Sequence, residues 1–167
     1  MNNVFLLFGG NLGDRFELIA DAIDLTQRAI GEIVKASSVY ESAPWGFEHE
    51  NKFLNKVIIV NTSYSPQSIL KTIQKIETKL GRVRNKTGMY SGRTIDIDIL
   101  FYEDLVMNEE DLKIPHPLLH ERRFTLQPLV EIAPNFEHPV LNKTMRQLLE
   151  ICPDKQDAVR ISTDRKN

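Results

Sequence analysis

The alternation of apolar and polar residues along the chain predicts a succession of strands and helices. The run VFLLF at 4–8 is continuously apolar and predicts a buried strand that ends at Gly9-Gly10. The segment between Asp14 and Gly31 has a helical period, with Asp14 as the N-cap and Gly31 as the C-terminal stop. The predicted apolar stripe of this helix consists of Phe16, Ile19, Ala20, Ile23 and Ile30.

The middle of the chain predicts two more strands and a second helix. Residues 33–42 and 53–64 have strand character, and Ser65-Pro66 then opens a helix that Gly81 closes. The apolar side of this helix consists of Ile69, Ile73, Ile76 and Leu80.

A further strand is predicted within GRTIDIDILFY (92–102), after a loop that spans 81–93. Prolines then separate short segments before a final helix near 144–151. The order strand, helix, strand, strand, helix, strand predicts an α+β fold with a ferredoxin-like βαββαβ core. In that fold helices pack on an antiparallel sheet, and the C-terminal segments would elaborate it.

Composition places the chain among ordinary globular proteins. Its 167 residues fit one domain (1–167), and a net charge of −2 argues against a broad nucleic-acid-binding surface. Cys152 is the single cysteine, and no apolar run approaches the length of a membrane span. We therefore expect a cytoplasmic, monomeric protein that binds neither nucleic acid nor membrane.

Two aspartates in the predicted strand 92–102 are the strongest candidate for chemistry. Alternation along a strand places Asp96 and Asp98 on one face and Ile95, Ile97 and Ile99 on the other. Carboxylates about 6.6 Å apart repel by about 2.5 kcal/mol at an effective dielectric of about 20. Divalent cations that share phosphate oxygens would relieve this repulsion, although a solvated strand face accounts for the pattern equally well.

The loop before this strand favours the metal hypothesis. It carries Arg82, Arg84, Lys86 and Arg93 and no acidic residue, and it contains three glycines. A mobile cationic loop next to a carboxylate pair is typical of a lid over a metal-bound polyphosphate. The alternative is an ordinary solvated loop.

Two other pairs are weaker candidates. Gln74 and Glu77 lie three residues apart on the second helix, off its apolar stripe, which is also typical of a plain helix surface. Phe53 and Asn55 share one face of the third strand, where a ring and an amide would suit a planar heterocycle. A strand-end aromatic beside a turn-forming Asn is an equally good interpretation.

Two further motifs have limited value. His116 and His120 lie four residues apart, but Pro117 disturbs the geometry and no third zinc ligand is evident. His116 could instead donate to a phosphate. The glycines of FGGNLGD match neither a dinucleotide-binding nor a P-loop spacing.

Several segments together resemble one enzyme family. They are GGNLGDR, SSVYESAPWG, FLN, QKIETKLGRVR, GRTIDIDILFY and IPHPLLHERRFTLQPLVEIAP, in order over about 4–139. In these segments the chain resembles 6-hydroxymethyl-7,8-dihydropterin pyrophosphokinase of folate biosynthesis. The resemblance implies a ferredoxin-like fold and transfer of the β,γ-pyrophosphoryl group of ATP to the pterin hydroxymethyl, with release of AMP.

The resemblance also implies roles for particular residues. Asp96 and Asp98 would hold two Mg²⁺ ions, while Arg82 and Arg93 would stabilise charge on the transferred group. The residues implied at the pterin are Ser42, Ala43, Pro44, Trp45, Phe53, Asn55, Tyr90 and Phe124. The residues implied at ATP are Gln74, Glu77, Arg84, Lys86, Ile99, His116 and Arg122.

The chain departs from the family at a few positions. Gly10 stands where many members have Ser, and Met89-Tyr90 stand where members often have Arg-Trp.

Two other functions fit parts of the pattern. One is a single-stranded RNA-binding sheet, which would need a more basic surface. The other is a different two-metal nucleotide enzyme, which product analysis would distinguish.

Overall fold

A computed structural model of the chain describes residues 1–46, 50–82 and 94–161. The strands are β1 Asn2–Gly10, β2 Glu32–Ala36, β3 Val39–Ser42, β4 Phe53–Thr62, β5 Asp96–Tyr102, β6 Met107–Asn108, β7 Lys113–Ile114 and β8 Val159–Ile161. The helices are α1 Arg15–Ala29, α2 Pro66–Lys79, α3 Arg123–Ile132 and α4 Met145–Glu150, with a 3-10 turn at Leu119–Glu121.

Among the described residues, six strands form one antiparallel sheet. The hydrogen-bonded order is β5-β1-β4-β3-β8, and β2 also pairs with β4. Strands β6 and β7 form a separate hairpin. The predicted combination of helices with an antiparallel sheet is confirmed. None of the helices in the described part of the chain is both long and apolar enough to span a membrane.

Two of the predicted strand boundaries are wrong. The predicted strand 33–42 is divided into β2 and β3 because Ser37 interrupts the ladder: its Oγ accepts the N–H of Val57 at 3.0 Å and donates to the carbonyl of Ser38 at 2.8 Å. Strand β1 includes the two glycines instead of ending before them, since Gly9 pairs with Asn55 and Gly10, its last residue, pairs with Leu54 of β4.

The predicted N-termini of both long helices are confirmed. Asp14 accepts the N–H of Glu17 at 3.1 Å, and Ser65 accepts the N–H of Ser68 at 3.2 Å. Gly81 follows α2 with φ of +88°, a conformation that favours glycine. These caps satisfy backbone donors that the first turn of a helix leaves without an intrahelical acceptor.

One detail of α1 differs from the prediction: Ala20 is exposed, whereas Ala22 and Thr26 are buried beside the predicted Ile19 and Ile30. Gly31 follows the end of the helix, as predicted. It also permits a close approach to β4, since a Cβ there would lie 2.1 Å from the carbonyl oxygen of Asn61.

The sheet has two faces with different coverage. We call the face under α1 and α2 the closed face; its buried strand residues include Leu6 and Phe8. We call the opposite face, on which α3 and α4 pack, the open face; its buried strand residues include Phe5 and Leu7. The helices cover only part of the open face, and its remaining end lines a cleft.

Candidate active site

The uncovered end of the open face forms the floor of a cleft of about 510 Å³, which we call the aromatic cleft. Its rings are Trp45, Phe53 and Phe124, and its polar lining includes Ser42, Asn55, Asp96, Asp98 and Arg122. The cleft thus combines flat apolar surfaces with two carboxylates and a guanidinium. A planar ligand with a polar edge would suit this lining.

Strand register brings these side chains together. Gly9 of β1 pairs with Asp96 on one side and with Asn55 on the other, so the three form a row across the sheet. Because Gly9 has no side chain, nothing projects into the cleft from the middle of that row. Asp98 pairs with Leu7 in the next row of the same face.

The predicted shared face of Asp96 and Asp98 is confirmed, because both line the aromatic cleft. Ile95, Ile97 and Ile99 are buried in the closed-face core, at 0%, 5% and 5% exposure. A register shift between β1 and β5 follows, and Leu100 and Phe101 both join the open-face core. On the open face, the first part of β5 therefore presents the polar Asp96 and Asp98, and the later part presents the apolar Leu100 and Phe101.

Arg82 links α2 to the carboxylate strand. Its Nη1 lies 2.7 Å from Oδ1 of Asp96 and also donates to Oε2 of Glu77. Burial by itself would lower the pKa of Arg82, but the adjacent carboxylates of Asp96 and Glu77 raise it above the usual value. Arg82 is therefore a permanent cation beside the cleft.

The prediction that Glu77 lies off the apolar stripe is wrong. Its side chain is buried on the same side of α2 as Ile73 and Ile76, and the residue as a whole is 3% exposed. Burial raises the pKa of Glu77, an effect that Arg82 opposes. The N–H of Ile97 donates to Oε2 of Glu77 at 3.1 Å, which helps to compensate the carboxylate for the loss of water.

Arg122 lies against two of the cleft's rings. Its Cζ is 4.6 Å from the centroid of the Trp45 ring and 5.7 Å from that of Phe124. Both separations are within the range of a cation–π interaction. Arg122 was expected on the nucleotide side, and the structure places it in the aromatic cleft. In the same cleft, Asn55 Nδ2 donates to Ser42 Oγ at 2.7 Å.

A second cleft, of about 630 Å³, lies along the outer edge of β5, and we call it the edge cleft. Its lining includes Leu70 of α2, Ile99, His116 and residues of the β6–β7 connection. Asp98 lines both clefts. Asp98 therefore lies where the two clefts adjoin, and Asp96 lies on the aromatic side.

Backbone groups of β5 are directed towards this edge. The N–H of Ile97 points away from β1, towards Glu77. Because backbone groups alternate sides along a strand, Ile99, two residues further on, also directs its N–H and C=O outwards. These groups are available to a ligand in the edge cleft.

His116 is held in one tautomer. Its Nδ1 accepts the N–H of Leu118 at 3.1 Å, so the neutral ring carries its proton on Nε2. Burial and the nearby charge of Arg122 lower the pKa of His116 to about 4, against an opposing effect of Asp96. At neutral pH, His116 is therefore an uncharged N–H donor in the edge cleft.

The remaining predicted residues lie elsewhere. Gln74 lines a groove on the outer side of α2, together with Lys71 and Lys75. Ala43 lines the aromatic cleft, whereas Pro44, in the same loop, is half-buried and is not part of the lining. The predictions for Arg84, Lys86, Tyr90 and Arg93 concern positions outside the described residues.

Sequence reasoning missed several lining residues. Gly9 was interpreted as a strand terminus, although a glycine directly after an apolar run is a signal for close backbone approach. Leu70 and Leu112 line the edge cleft and were not predicted. No local pattern marks them, because α2 and the β6–β7 connection meet there only in the folded chain.

The carboxylate pair suits magnesium. Mg²⁺ prefers oxygen ligands, usually keeps several waters, and is typically held by one or two carboxylates together with substrate phosphates. Asp96 and Asp98 provide that donor set, and both are accessible from the cleft. Within residues 1–46, 50–82 and 94–161, no cluster of three or more His, Cys, Asp or Glu could hold a metal by itself.

Comparisons with known proteins show the family of the chain. Residues 5–134 match the family model for 7,8-dihydro-6-hydroxymethylpterin-pyrophosphokinase (HPPK). A 2-amino-4-hydroxy-6-hydroxymethyldihydropteridine pyrophosphokinase of Aquifex aeolicus is 44% identical over 147 residues, which cover 88% of this chain and 90% of that protein.

Longer relatives contain the same region as one part. The folic acid synthesis protein FOL1 of Dictyostelium discoideum is 42% identical over 88% of this chain but only 22% of its own length. The crystal structure of Plasmodium falciparum HPPK-DHPS has a TM-score of 0.72 at 20% identity, and the match covers 89% of this chain and 44% of that one. This structural likeness shows a shared fold, and the chain spans less than half of the solved protein. With the family match over most of its length, the chain belongs to the 7,8-dihydro-6-hydroxymethylpterin-pyrophosphokinase family.

Proposed function

We propose that this protein transfers the β,γ-pyrophosphoryl group of ATP to the hydroxymethyl group of 6-hydroxymethyl-7,8-dihydropterin, giving AMP and the pterin diphosphate in folate biosynthesis. The main support is the position of the carboxylate pair: both aspartates line the aromatic cleft, and Asp98 lies at its junction with the edge cleft. A pyrophosphoryl group must pass between two bound substrates, and this junction would lie between them.

The aromatic cleft is the proposed pterin site. Phe53 and Phe124 would pack on the two sides of the bicyclic ring, and Asn55 would bond its polar edge. The hydrogen bond between Asn55 and Ser42 fixes the orientation of the amide before a ligand arrives. Such preorganisation reduces the entropy that binding costs.

The edge cleft is the proposed nucleotide site. Leu70 and Ile99 offer apolar surface to the adenine, and the outward backbone groups of Ile99 would bond its edge. The neutral Nε2–H of His116 would donate to a phosphate oxygen without adding charge. Gln74 and Glu77 lie outside the lining of this cleft, and the proposal assigns neither of them a direct contact with the nucleotide.

Catalysis would depend mainly on positioning and electrostatics. Arg82 and Arg122 lie beside the carboxylates and would stabilise negative charge on the transferred group. Asp96 and Asp98 would hold two magnesium ions. When bound, magnesium supplies positive charge that orients the phosphates and stabilises the attacking and leaving oxygens of an in-line displacement.

We extend the proposal to the whole chain. The core strand order β5-β1-β4-β3, with β2 also on β4, supports a ferredoxin-like core elaborated at its C-terminus. We further propose a single domain that acts as a monomer in the cytoplasm and uses ATP as co-substrate.

Product analysis tests the proposed reaction. The protein is incubated with ATP, Mg²⁺ and the hydroxymethyl pterin, and the products are separated by chromatography. AMP and the pterin diphosphate are expected in equal amounts, and the 6-methyl analogue, which has no hydroxyl, is expected to give neither. Formation of ADP and a pterin monophosphate would instead indicate transfer of the γ-phosphoryl group.

Intrinsic fluorescence gives an independent binding assay. Trp45 is the chain's single tryptophan and lines the aromatic cleft. Pterin binding is expected to quench its emission, and a Phe53→Ala variant is expected to weaken that binding. Unchanged emission at saturating pterin would argue against the assignment of this cleft.

A further inference from the structure

Arg82 contacts two carboxylates with different surroundings. One contact joins its Nη1 to Oδ1 of Asp96 at 2.7 Å, and the other joins the same nitrogen to Oε2 of Glu77. The Arg82 and Asp96 side chains are 19% and 21% exposed, whereas that of Glu77 is 4% exposed. Asp96 lines the aromatic cleft, whereas Glu77 lines neither the aromatic nor the edge cleft.

Glu77 is fixed from behind the cleft. It projects from α2 and accepts the backbone N–H of Ile97, the residue directly after Asp96, at 3.1 Å. The carboxylate therefore joins α2 to β5 beside Asp96 and also binds Arg82. A movement of Asp96 towards the cleft need not break either of these contacts.

Arg82 already neutralises Asp96 at the proposed metal site. A divalent cation on Asp96 would have a guanidinium close beside it, and like charges at such a distance repel strongly in a partly buried site. Metal binding and the Arg82–Asp96 contact therefore compete. The buried Glu77 carboxylate provides a second anion that can keep the guanidinium at the site.

We propose that Arg82 is the resident counter-ion of Asp96 and is exchanged for the divalent cation, and that Glu77 is a positioning residue that retains Arg82 after the exchange. The identity of the cation as magnesium rests on the proposed function. The exchange would leave Arg82 beside the metal with one partner fewer. It could then bond the negatively charged group that the metal orients.

Binding of Mn²⁺, a probe for Mg²⁺, to the nucleotide-free protein tests the exchange. Free Mn²⁺ is measured by electron paramagnetic resonance during titration of the wild type, Arg82→Met, Arg82→Lys, Glu77→Gln and the double variant Glu77→Gln/Arg82→Met. In Glu77→Gln, the amide oxygen can still accept the N–H of Ile97, so the variant removes the charge of residue 77 but not this contact. Thermal melting of each variant shows that it is folded, and Asp98→Asn shows that the measured site is the carboxylate pair.

Arg82→Met removes the competing guanidinium and is expected to tighten Mn²⁺ binding about tenfold. The interaction energy between two neighbouring coupled groups typically corresponds to a change in affinity of about this size. Arg82→Lys, which keeps the charge, is expected to return the affinity towards that of the wild type. Glu77→Gln is expected to weaken binding about tenfold where Arg82 is present and less than about threefold in the Arg82→Met background.

A carboxylate outside the site provides a matched control. Glu131 of α3 likewise accepts a backbone N–H, that of Ser38 at 2.9 Å, and Glu131→Gln is expected to leave Mn²⁺ affinity unchanged. Equal Mn²⁺ affinity in Arg82→Met and the wild type, including no binding by either, would overturn the exchange. An equal effect of Glu77→Gln in both backgrounds would overturn the positioning role.

These outcomes are independent of the proposed reaction. The Mn²⁺ titration uses neither ATP nor pterin, so equal Mn²⁺ affinity in Arg82→Met and the wild type, with normal AMP production by the wild type, would refute the exchange alone. Loss of the proposed function would instead appear in the product assay, with Mn²⁺ coupling intact.

Discussion

The two faces of the sheet have the same backbone but differ in what covers them. On the closed face, α1 and α2 bury an apolar layer that includes Ile97 and Ile99 of β5 and Ile95 just before that strand. On the open face, α3 and α4 cover Phe5 and Leu7, while Asn55, Asp96 and Asp98 line a cleft. Incomplete coverage of the open face therefore provides the aromatic cleft, and the helices over the closed face provide much of the core.

This difference implies a separation of stability from activity. A buried apolar side chain stabilises the fold through transfer from water and close packing. A carboxylate beside a cleft contributes little to packing but can organise charge for chemistry. Substitutions of buried apolar residues on the closed face should therefore affect folding, and substitutions of polar residues in the uncovered part of the open face should affect turnover.

The largest expected effect is on turnover, from Asp98→Asn on the open face. Loss of one of two carboxylates should lower kcat/KM by about 10³-fold or more, because the proposed magnesium site loses a charged ligand. Steady-state AMP formation measures this, and thermal melting should show little change. Asp104→Asn, at an exposed aspartate just after β5, is the control. Retained activity in both Asp96→Asn and Asp98→Asn would contradict the metal role.

On the closed face, Ile73→Ala should act on stability. Ile73 is 1% exposed in the core between α2 and the sheet, so the truncation should cost about 2–5 kcal/mol of unfolding free energy. Urea denaturation measures the loss, and the kcat of the folded fraction should stay near that of the wild type. Val34→Ala, at a position 48% exposed, should change stability little. A drop in kcat without loss of stability would contradict the separation of the two faces.

A pH-dependent effect is expected from His138, which packs against Phe101 of the open-face core at a ring-centroid distance of 5.5 Å. Burial and the neighbouring His120 lower the pKa of His138 from 6.5 to about 4. As the pH falls, the unfolded chain therefore takes up a proton at His138 at a higher pH than the folded chain does. The stabilisation that depends on the neutral ring is complete above about pH 6.5 and declines as the pH falls towards about 4.

The His138→Asn variant tests this, since the Asn oxygen can accept the N–H groups of Val140 and Leu141 that now bond Nδ1 at 3.1 Å. Between about pH 7 and pH 4.5, the wild type should lose about 1–2 kcal/mol more unfolding free energy than the variant. Equal losses in urea titrations at the two pH values would show that His138 does not contribute.

The smallest expected effect concerns Trp45 on the open face. Trp45→Leu removes the ring that Arg122 contacts and should weaken pterin binding by about 1 kcal/mol, whereas Trp45→Phe should retain most of the affinity. Calorimetric titration with the pterin measures both variants. Equal affinity of the two would indicate that the ring does not position Arg122.

Local patterns in the sequence predicted much of this architecture and part of the site. The caps at Asp14 and Ser65 and the shared face of Asp96 and Asp98 follow from rules that involve only a few neighbouring residues. The interpretation of Glu77 was wrong because helical spacing allows a carboxylate beside the apolar stripe to face inwards. Whether it does depends on partners such as Arg82 and the Ile97 N–H.

The sequence by itself determined the hydrophobic period of each main strand and helix, the face of the element on which each side chain lies, and the family to which the chain belongs. Tertiary structure decided which face stayed open, where the two clefts adjoin and which charges meet. The physical reason is range: propensity, capping and alternation act within a few residues, whereas Gly9, Asn55 and Asp96 become neighbours only when β1 lies between β4 and β5.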